Sequence, residues 1–194
     1  MKNKIIIFCC QEIGYLFIKY INENNLCDIQ MVVSYETIYD KLYGYNYNIE
    51  RYCIKNNILF EKQKNITNSL ISKIKKINPN YIFSIYTRTI FTDEILSIPS
   101  NGCINIHPSI LPKYKGPVPT AWAILNNEKQ VGITIHKMVK KIDDGPIMFQ
   151  KKIKIFKNEN GFQLHKRVMN ESLKFLKKNL KKILTNKYVL KKQK

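Results

Sequence analysis

Lys4-Ile5-Ile6-Ile7-Phe8-Cys9-Cys10-Gln11-Glu12-Ile13-Gly14 is the stretch from which the architecture of this chain follows. Residues 4–8 form a short apolar run, the signature of a strand buried on both faces. Immediately after it, residues 12–24 place Ile13, Leu16, Phe17, Tyr20 and Ile21 on one helical stripe. The turn between them lacks both GxGxxG and Walker spacing, so no dinucleotide or P-loop nucleotide site is expected there.

The same alternation continues outward. Strands are expected over 28–33, 58–60, 81–86 and 103–107, and helices over 49–57, 68–77 and 92–97. The helix over 68–77 stops at Asn78-Pro79, because a residue preceding proline is pushed toward extended geometry. Beyond residue 107 come a Pro- and Gly-rich loop over 108–119 and a helical turn over 120–126. Strands over 130–138 and 147–156 follow, flanking a loop over 139–146. A long helix over 162–184 carries Met169, Leu173, Leu176, Leu180 and Ile183 on one face, and Lys174, Lys177, Lys178, Lys181 and Lys182 on the other. Strands alternating with helices predict an α/β fold with a mostly parallel, Rossmann-like sheet flanked by helices. The 194 residues suit a single domain spanning 1–194. The loop over 34–48 is rich in tyrosine (Tyr35, Tyr39, Tyr43, Tyr45 and Tyr47) and offers aromatic faces to a base or to solvent alike.

The net charge is +19, with 33 Lys+Arg against 14 Asp+Glu. Residues 1–150 carry only +6, and the remaining +13 falls in residues 151–194. Arg51, Arg88 and Arg167 are the only arginines. That scarcity weakens a nucleic-acid reading, because arginine is the side chain suited to bidentate phosphate and base contacts. No apolar run reaches the roughly 18–20 residues of a bilayer span, and a cytoplasmic protein without a membrane partner is expected. The five cysteines (Cys9, Cys10, Cys27, Cys53 and Cys103) show no CxxC pair or zinc-type cluster, so reduced thiols and no metal site are expected.

The chemistry-bearing stretch is Asn105-Ile106-His107-Pro108-Ser109-Ile110-Leu111-Pro112. On a strand, Asn105 and His107 project to one side, at the carboxyl end where open α/β sheets keep their ligands. An amide donor can stabilise an oxyanion and an imidazole can donate or relay a proton, a pairing suited to acyl transfer. Asp143, in Asp143-Asp144-Gly145, supplies a carboxylate able to hold His107 protonated. A plain Asp-Gly turn with solvated carboxylates is the competing reading. Trp122 is expected to pack in the core and His165 to be structural. His136 is weighed between a secondary role near the site and a satisfied structural histidine.

Asn105-Ile106-His107-Pro108-Ser109-Ile110-Leu111-Pro112 followed by Asp143-Asp144-Gly145 resembles the motifs of the formyltransferases that use 10-formyltetrahydrofolate. The likeness extends through Ile82-Phe83-Ser84-Ile85-Tyr86-Thr87-Arg88-Thr89-Ile90 and Thr134-Ile135-His136-Lys137-Met138, and covers nearly the whole chain. It implies a catalytic triad of Asn105, His107 and Asp143 in which protonated His107 and Asn105 stabilise the oxyanion. It further implies that Tyr86, Arg88, Ile90, Met138, Lys141 and Ile142 contact the folate co-substrate. Ser109, Lys113 and Lys115 are the candidates for contact with the second substrate.

Lys113-Tyr114-Lys115-Gly116-Pro117-Val118-Pro119-Thr120-Ala121-Trp122 resembles the branch acting on UDP- or dTDP-linked amino sugars in glycan biosynthesis. Glycinamide ribonucleotide formyltransferases are similar in His-Pro-Ser, but carry a Gly/Ser-rich phosphate loop that residues 8–14 do not match. The tRNA enzymes of the family carry a further domain for which 194 residues are expected to leave no room. Relatives of the sugar branch usually add a C-terminal subdomain; 194 residues are expected to hold only the catalytic core, so a homodimer is weighed without that usual interface. The lysine-rich segment keeps one reading of another class in play, an RNA-binding protein on a degenerate formyltransferase core.

Overall fold

The computed structural model describes residues 2–37 and 48–194. Tyr39, Tyr43, Tyr45 and Tyr47 lie outside the described residues, so the stacking role weighed for them concerns that segment. The described strands are hydrogen-bonded in the order β3-β2-β1-β4-β5-β6-β7, where β1 is Lys4–Cys9, β2 Asp28–Ser34, β3 Leu59–Lys62, β4 Tyr81–Ile85, β5 Cys103–His107, β6 Gln130–Lys137 and β7 Ile147–Lys154. The chain divides into two compact units, Met1–Ile104 and Asn105–Lys194.

In the first unit β1 lies between β2 and β4, and β2 pairs with β3, all in parallel. Ile5, Ile6 and Ile7 are wholly buried, as a central parallel strand covered on both faces requires. Helix α1 (Gln11–Glu23) follows β1 almost at once and buries Ile13, Phe17, Ile18 and Ile21. Gly14 permits that tight return, because a Cβ there would meet the Cys9 Cβ at 2.7 Å. Three further helices start on side-chain caps: α2 (Ile49–Lys55) on Asn48, α3 (Asn68–Ile77) on Thr67 and α4 (Asp93–Ser97) on Thr92. Helix α3 ends at Asn78, next to Pro79, where its sequence predicts, with Asn78 left-handed rather than extended.

The second unit is built on the antiparallel pair β6–β7. Helix α5 (Pro119–Leu125) precedes β6. Helix α6 (Gly161–Leu184) opens with a capping box of Asn160 and Gln163 and buries Leu164, Val168, Met169, Leu173, Leu176, Leu180 and Ile183. That stripe is the one predicted, and Lys174, Lys178, Lys181 and Lys182 are exposed on the far side. Trp122 departs from expectation: it is 52% exposed on α5 rather than packed in the core. All five cysteines are buried. Among the described residues, no helix is long and apolar enough to cross a membrane.

Candidate active site

The carboxyl end of β5 carries Asn105 and His107 on the face opposite buried Ile106, as strand alternation demands. The 108–118 loop is then anchored on β6 and β7 by a small polar network. The Thr134 hydroxyl donates to the Ser109 carbonyl (2.8 Å) and accepts from the Leu111 N–H (3.2 Å). Gln150 Nε2 donates to the Leu111 carbonyl and to Thr134 Oγ1, both at 2.9 Å. Ser109 itself is wholly buried, and its hydroxyl donates to the Lys113 carbonyl at 2.7 Å. Its hydroxyl thus shapes the loop.

Asp143 stands in the loop between β6 and β7 in the left-handed region, φ 50°, a conformation that aspartate tolerates better than most residues. Gly145 is dictated by space: a Cβ there would sit 1.7 Å from the Lys137 carbonyl oxygen. The loop therefore folds back against the end of β6 and turns the Asp143 carboxylate toward β5. Oδ1 accepts from Asn105 Nδ2 at 3.1 Å and lies 3.5 Å from His136 Nε2. Oδ2 accepts the Gly116 N–H at 2.9 Å and lies 3.4 Å from His107 Nδ1. The three residues named from the sequence thus converge, with Asp143 at their centre.

His136 joins them, only 1% exposed. Its Nδ1 faces the Lys137 carbonyl oxygen at 2.9 Å, and since a carbonyl only accepts, Nδ1 carries the proton. Its Nε2 lies 3.2 Å from Asn105 Nδ2, and the same Asn105 amide donates to Asp143 Oδ1. His136 is thus both a hydrogen-bonded buried histidine and a neighbour of the site residues. The signal available in sequence was its position on β6, seven residues before Asp143.

His107 is 4% exposed, with Nε2 2.7 Å from the Tyr114 carbonyl oxygen. Burial pushes its pKa below the ordinary histidine value, and the Asp143 carboxylate and Tyr114 carbonyl oppose this without overcoming it. Burial thus opposes the expected imidazolium, while both ring nitrogens face acceptors, Nδ1 the Asp143 carboxylate and Nε2 the Tyr114 carbonyl. Burial would raise Asp143, but the His136 side chain, the His107 charge and the Gly116 N–H together hold it below the usual carboxylate range.

The remaining candidates distribute as follows. In the first unit Tyr86 leaves β4 with φ 53°, the Arg88 N–H donates to Tyr35 Oη at 2.7 Å, and Ile90 is 69% exposed. In the second unit Met138 is half-buried, while Lys141 and Ile142 are exposed. Lys115 pairs with Asp144, which also receives Lys141 at 3.3 Å. Lys113 lies 3.2 Å from Glu128, which Tyr114 Oη also reaches at 2.8 Å. Both loop lysines thus rest on carboxylates that an anionic ligand would have to displace. The sequence reading missed Gln193, whose Nε2 donates to the carbonyls of Asp143 and Gly145, both at 2.8 Å.

The profile of the formyl transferase family matches residues 4–180, and the chain belongs to that family. Over 185 residues it is 35% identical to the bifunctional polymyxin resistance protein ArnA of Wigglesworthia glossinidia brevipalpis, covering 95% of this chain and 28% of that protein. A methionyl-tRNA formyltransferase of Caldanaerobacter subterraneus subsp. tengcongensis is 38% identical over 124 residues, 64% of this chain and 40% of that enzyme. The chain thus spans well under half the length of these curated relatives. Among solved structures, an N-formyltransferase from Helicobacter canadensis, in complex with folinic acid and dTDP-3-aminofucose, is 26% identical with TM-score 0.75, covering 100% of this chain and 68% of that one. The fold is shared as well with glycinamide ribonucleotide transformylase 1 of Symbiobacterium toebii, at TM-score 0.80 and 15% identity, covering 100% and 95% of the two chains.

Proposed function

We propose that this chain, as a single catalytic domain over 1–194, moves a formyl group from 10-formyltetrahydrofolate to the amine of a UDP- or dTDP-linked amino sugar. The observation that carries the reading is the convergence of Asn105, His107 and Asp143 around one half-buried carboxylate, with contacts of 3.1 to 3.4 Å. The likeness to a structure holding dTDP-3-aminofucose supports the acceptor class, and the folinic acid in that structure supports the folate.

In this reading the amine attacks the formyl carbon, forming a C–N bond and a tetrahedral oxyanion. Asn105 Nδ2 and the His107 ring donate to that oxygen. Collapse breaks the bond to N10 of the folate, and the proton leaving the amine passes by way of Asp143 and water to the departing nitrogen. His107 Nε2 already faces the Tyr114 carbonyl at 2.7 Å, so the 108–118 loop must yield that carbonyl before this nitrogen can serve the oxyanion. Exposed Ile142 offers apolar surface to the planar ring of the folate. Lys113 and Lys115 exchange their carboxylate partners for the diphosphate of the acceptor, as point charges.

The test is turnover of 10-formyltetrahydrofolate against a panel of UDP- and dTDP-amino sugars, glycinamide ribonucleotide and methionyl-tRNA. Formyl transfer confined to one of the amino sugars is the expected result, and transfer to either other acceptor alone overturns the assignment. A bound nucleotide sugar at 100 times its dissociation constant also stabilises the fold by about 2.7 kcal/mol, visible as a raised thermal midpoint.

A further inference from the structure

After α6 the chain turns at left-handed Asn186 and its N–H groups close back on the helix end, Lys187 N–H reaching the Lys182 carbonyl at 2.8 Å. Residues 188–193 then run back along the start of β7 and meet the second unit at three points. The Tyr188 ring packs edge-on to Phe149, with centroids 6.4 Å apart. Lys191 forms an antiparallel bridge with Ile147, closed by two backbone hydrogen bonds of 2.8 and 2.9 Å. Gln193 completes the path by spanning the Asp143 loop.

The details at Gln193 mark its amide as a clamp. Both of its bonds come from Nε2, one to each of two carbonyls that bracket Asp144. Its Oε1 is buried without a hydrogen-bond partner. Turning the amide over would set Oε1 against two carbonyl oxygens, so the orientation is fixed by what the loop can accept. An unsatisfied buried carbonyl is costly, and the side chain sustains it while keeping both donor bonds. The loop needs such a tie, because Asp143 holds a positive φ and Gly145 presses against the Lys137 carbonyl.

We propose that Gln193 is a positioning residue that holds the Asp143 loop in register, so that the segment following the last helix sets the aim of the site carboxylate. The activity part of this inference rests on the acyl-transfer reading above; the structural part does not.

The test uses the full chain with Gln193→Met, which keeps the length and removes the donors, and Gln193→Glu, which sets oxygen against oxygen. Gln193 lies outside the sheet and helices, and thermal midpoints within a few degrees of the unmodified protein check that both variants fold. Two readouts are taken. In the free protein, proton NMR follows the titration of the three histidines. The His107 midpoint is expected to move down as the carboxylate loses its aim, with His165 as the unmoved internal reference. In turnover, kcat is expected to fall about 10- to 100-fold, the loss typical of a small misplacement, while KM for the acceptor stays nearly constant. An unchanged His107 titration in both folded variants overturns the proposal, as does a change confined to KM. A shifted His107 in a protein without formyl transfer leaves the clamp standing and removes the acyl-transfer reading instead.

Discussion

Replacing Asp143 by asparagine is the sharpest probe of the site, because the carboxylate is a four-way junction. Its two oxygens accept from Asn105 Nδ2 at 3.1 Å and the Gly116 N–H at 2.9 Å, and face His136 and His107 at 3.5 and 3.4 Å. An asparagine amide offers one acceptor and one donor. Whichever way it settles, its NH2 meets either the Asn105 amide or the Gly116 N–H, donor against donor. One hydrogen bond to a charged acceptor is then lost, worth about 1.5–3 kcal/mol. The survivor now goes to a neutral group and keeps roughly half its strength. Together these come to about 2–4 kcal/mol, equivalent to roughly 30- to 1000-fold in rate if expressed in the transition state. The assay is kcat with the accepted amino sugar, run beside a denaturation curve, since any share borne by the ground state appears as lost stability. The His107 titration should also fall further once the opposing carboxylate is gone. A folded Asp143→Asn protein with kcat within threefold of the unmodified chain would refute the role assigned to this carboxylate.

Three further outcomes follow from the same contacts. Burial lowers His107 and His165, so their contribution to stability is present above the ordinary histidine value of about 6.5 and is lost as pH falls through and below it. Asp143 is also lowered, so its contribution persists to about pH 4 and is lost below. Denaturant midpoints should therefore drop in two acid steps, and a midpoint that rises between pH 7 and 5.5 contradicts this. Burial raises Cys9 well above its usual value and pushes Cys27, Cys53 and Cys103 up to about 12, so a thiol reagent at pH 8 should label the native protein slowly and all five thiols after unfolding. Rapid labelling without denaturant goes against the buried arrangement. Gly145→Ala places a methyl group where the Lys137 carbonyl already sits, so it should abolish turnover by displacing Asp143 while α6 and the first unit keep their helical signal. Retained activity would mean that the loop is not held as described.

Much of the fold was legible because its signals are local. The apolar run Ile5-Ile6-Ile7 can only be a strand covered on both faces, and the Met169–Ile183 stripe fixes which side of α6 faces inward. The first helix begins at Gln11, one residue before its apolar pattern suggests, and β7 ends at Lys154, two residues short. Ends are set by hydrogen bonds that hydropathy does not encode. Trp122 was misjudged for a related reason: a short helix of seven residues has too few turns to show which face is inward.

The site divides along the same line. Asn105 and His107 were readable as a pair because strand alternation alone places both on one face of β5. Asp143 reaches them through tertiary structure: the β6–β7 register, a positive φ and a glycine with no room for a Cβ each have to hold at once. Ser109 and Lys113 look in sequence like ligand contacts because they are polar and loop-borne; what sequence does not show is that the Ser109 hydroxyl anchors the loop and that Lys113 rests on Glu128, a partner an anionic ligand would displace. Gln193 had no local signal at all, since nothing in a glutamine near a lysine-rich end announces two carbonyls fifty and forty-eight residues earlier. Protonation was the least legible property. A carboxylate beside a histidine reads as an imidazolium, but the sign of the shift depends on how much water the fold leaves, and at 4% exposure burial wins for His107. In the proposed chemistry that ring meets an uncharged formyl group and donates its N–H to the oxyanion as it forms, with the Asp143 carboxylate already placed to fix the ring's orientation.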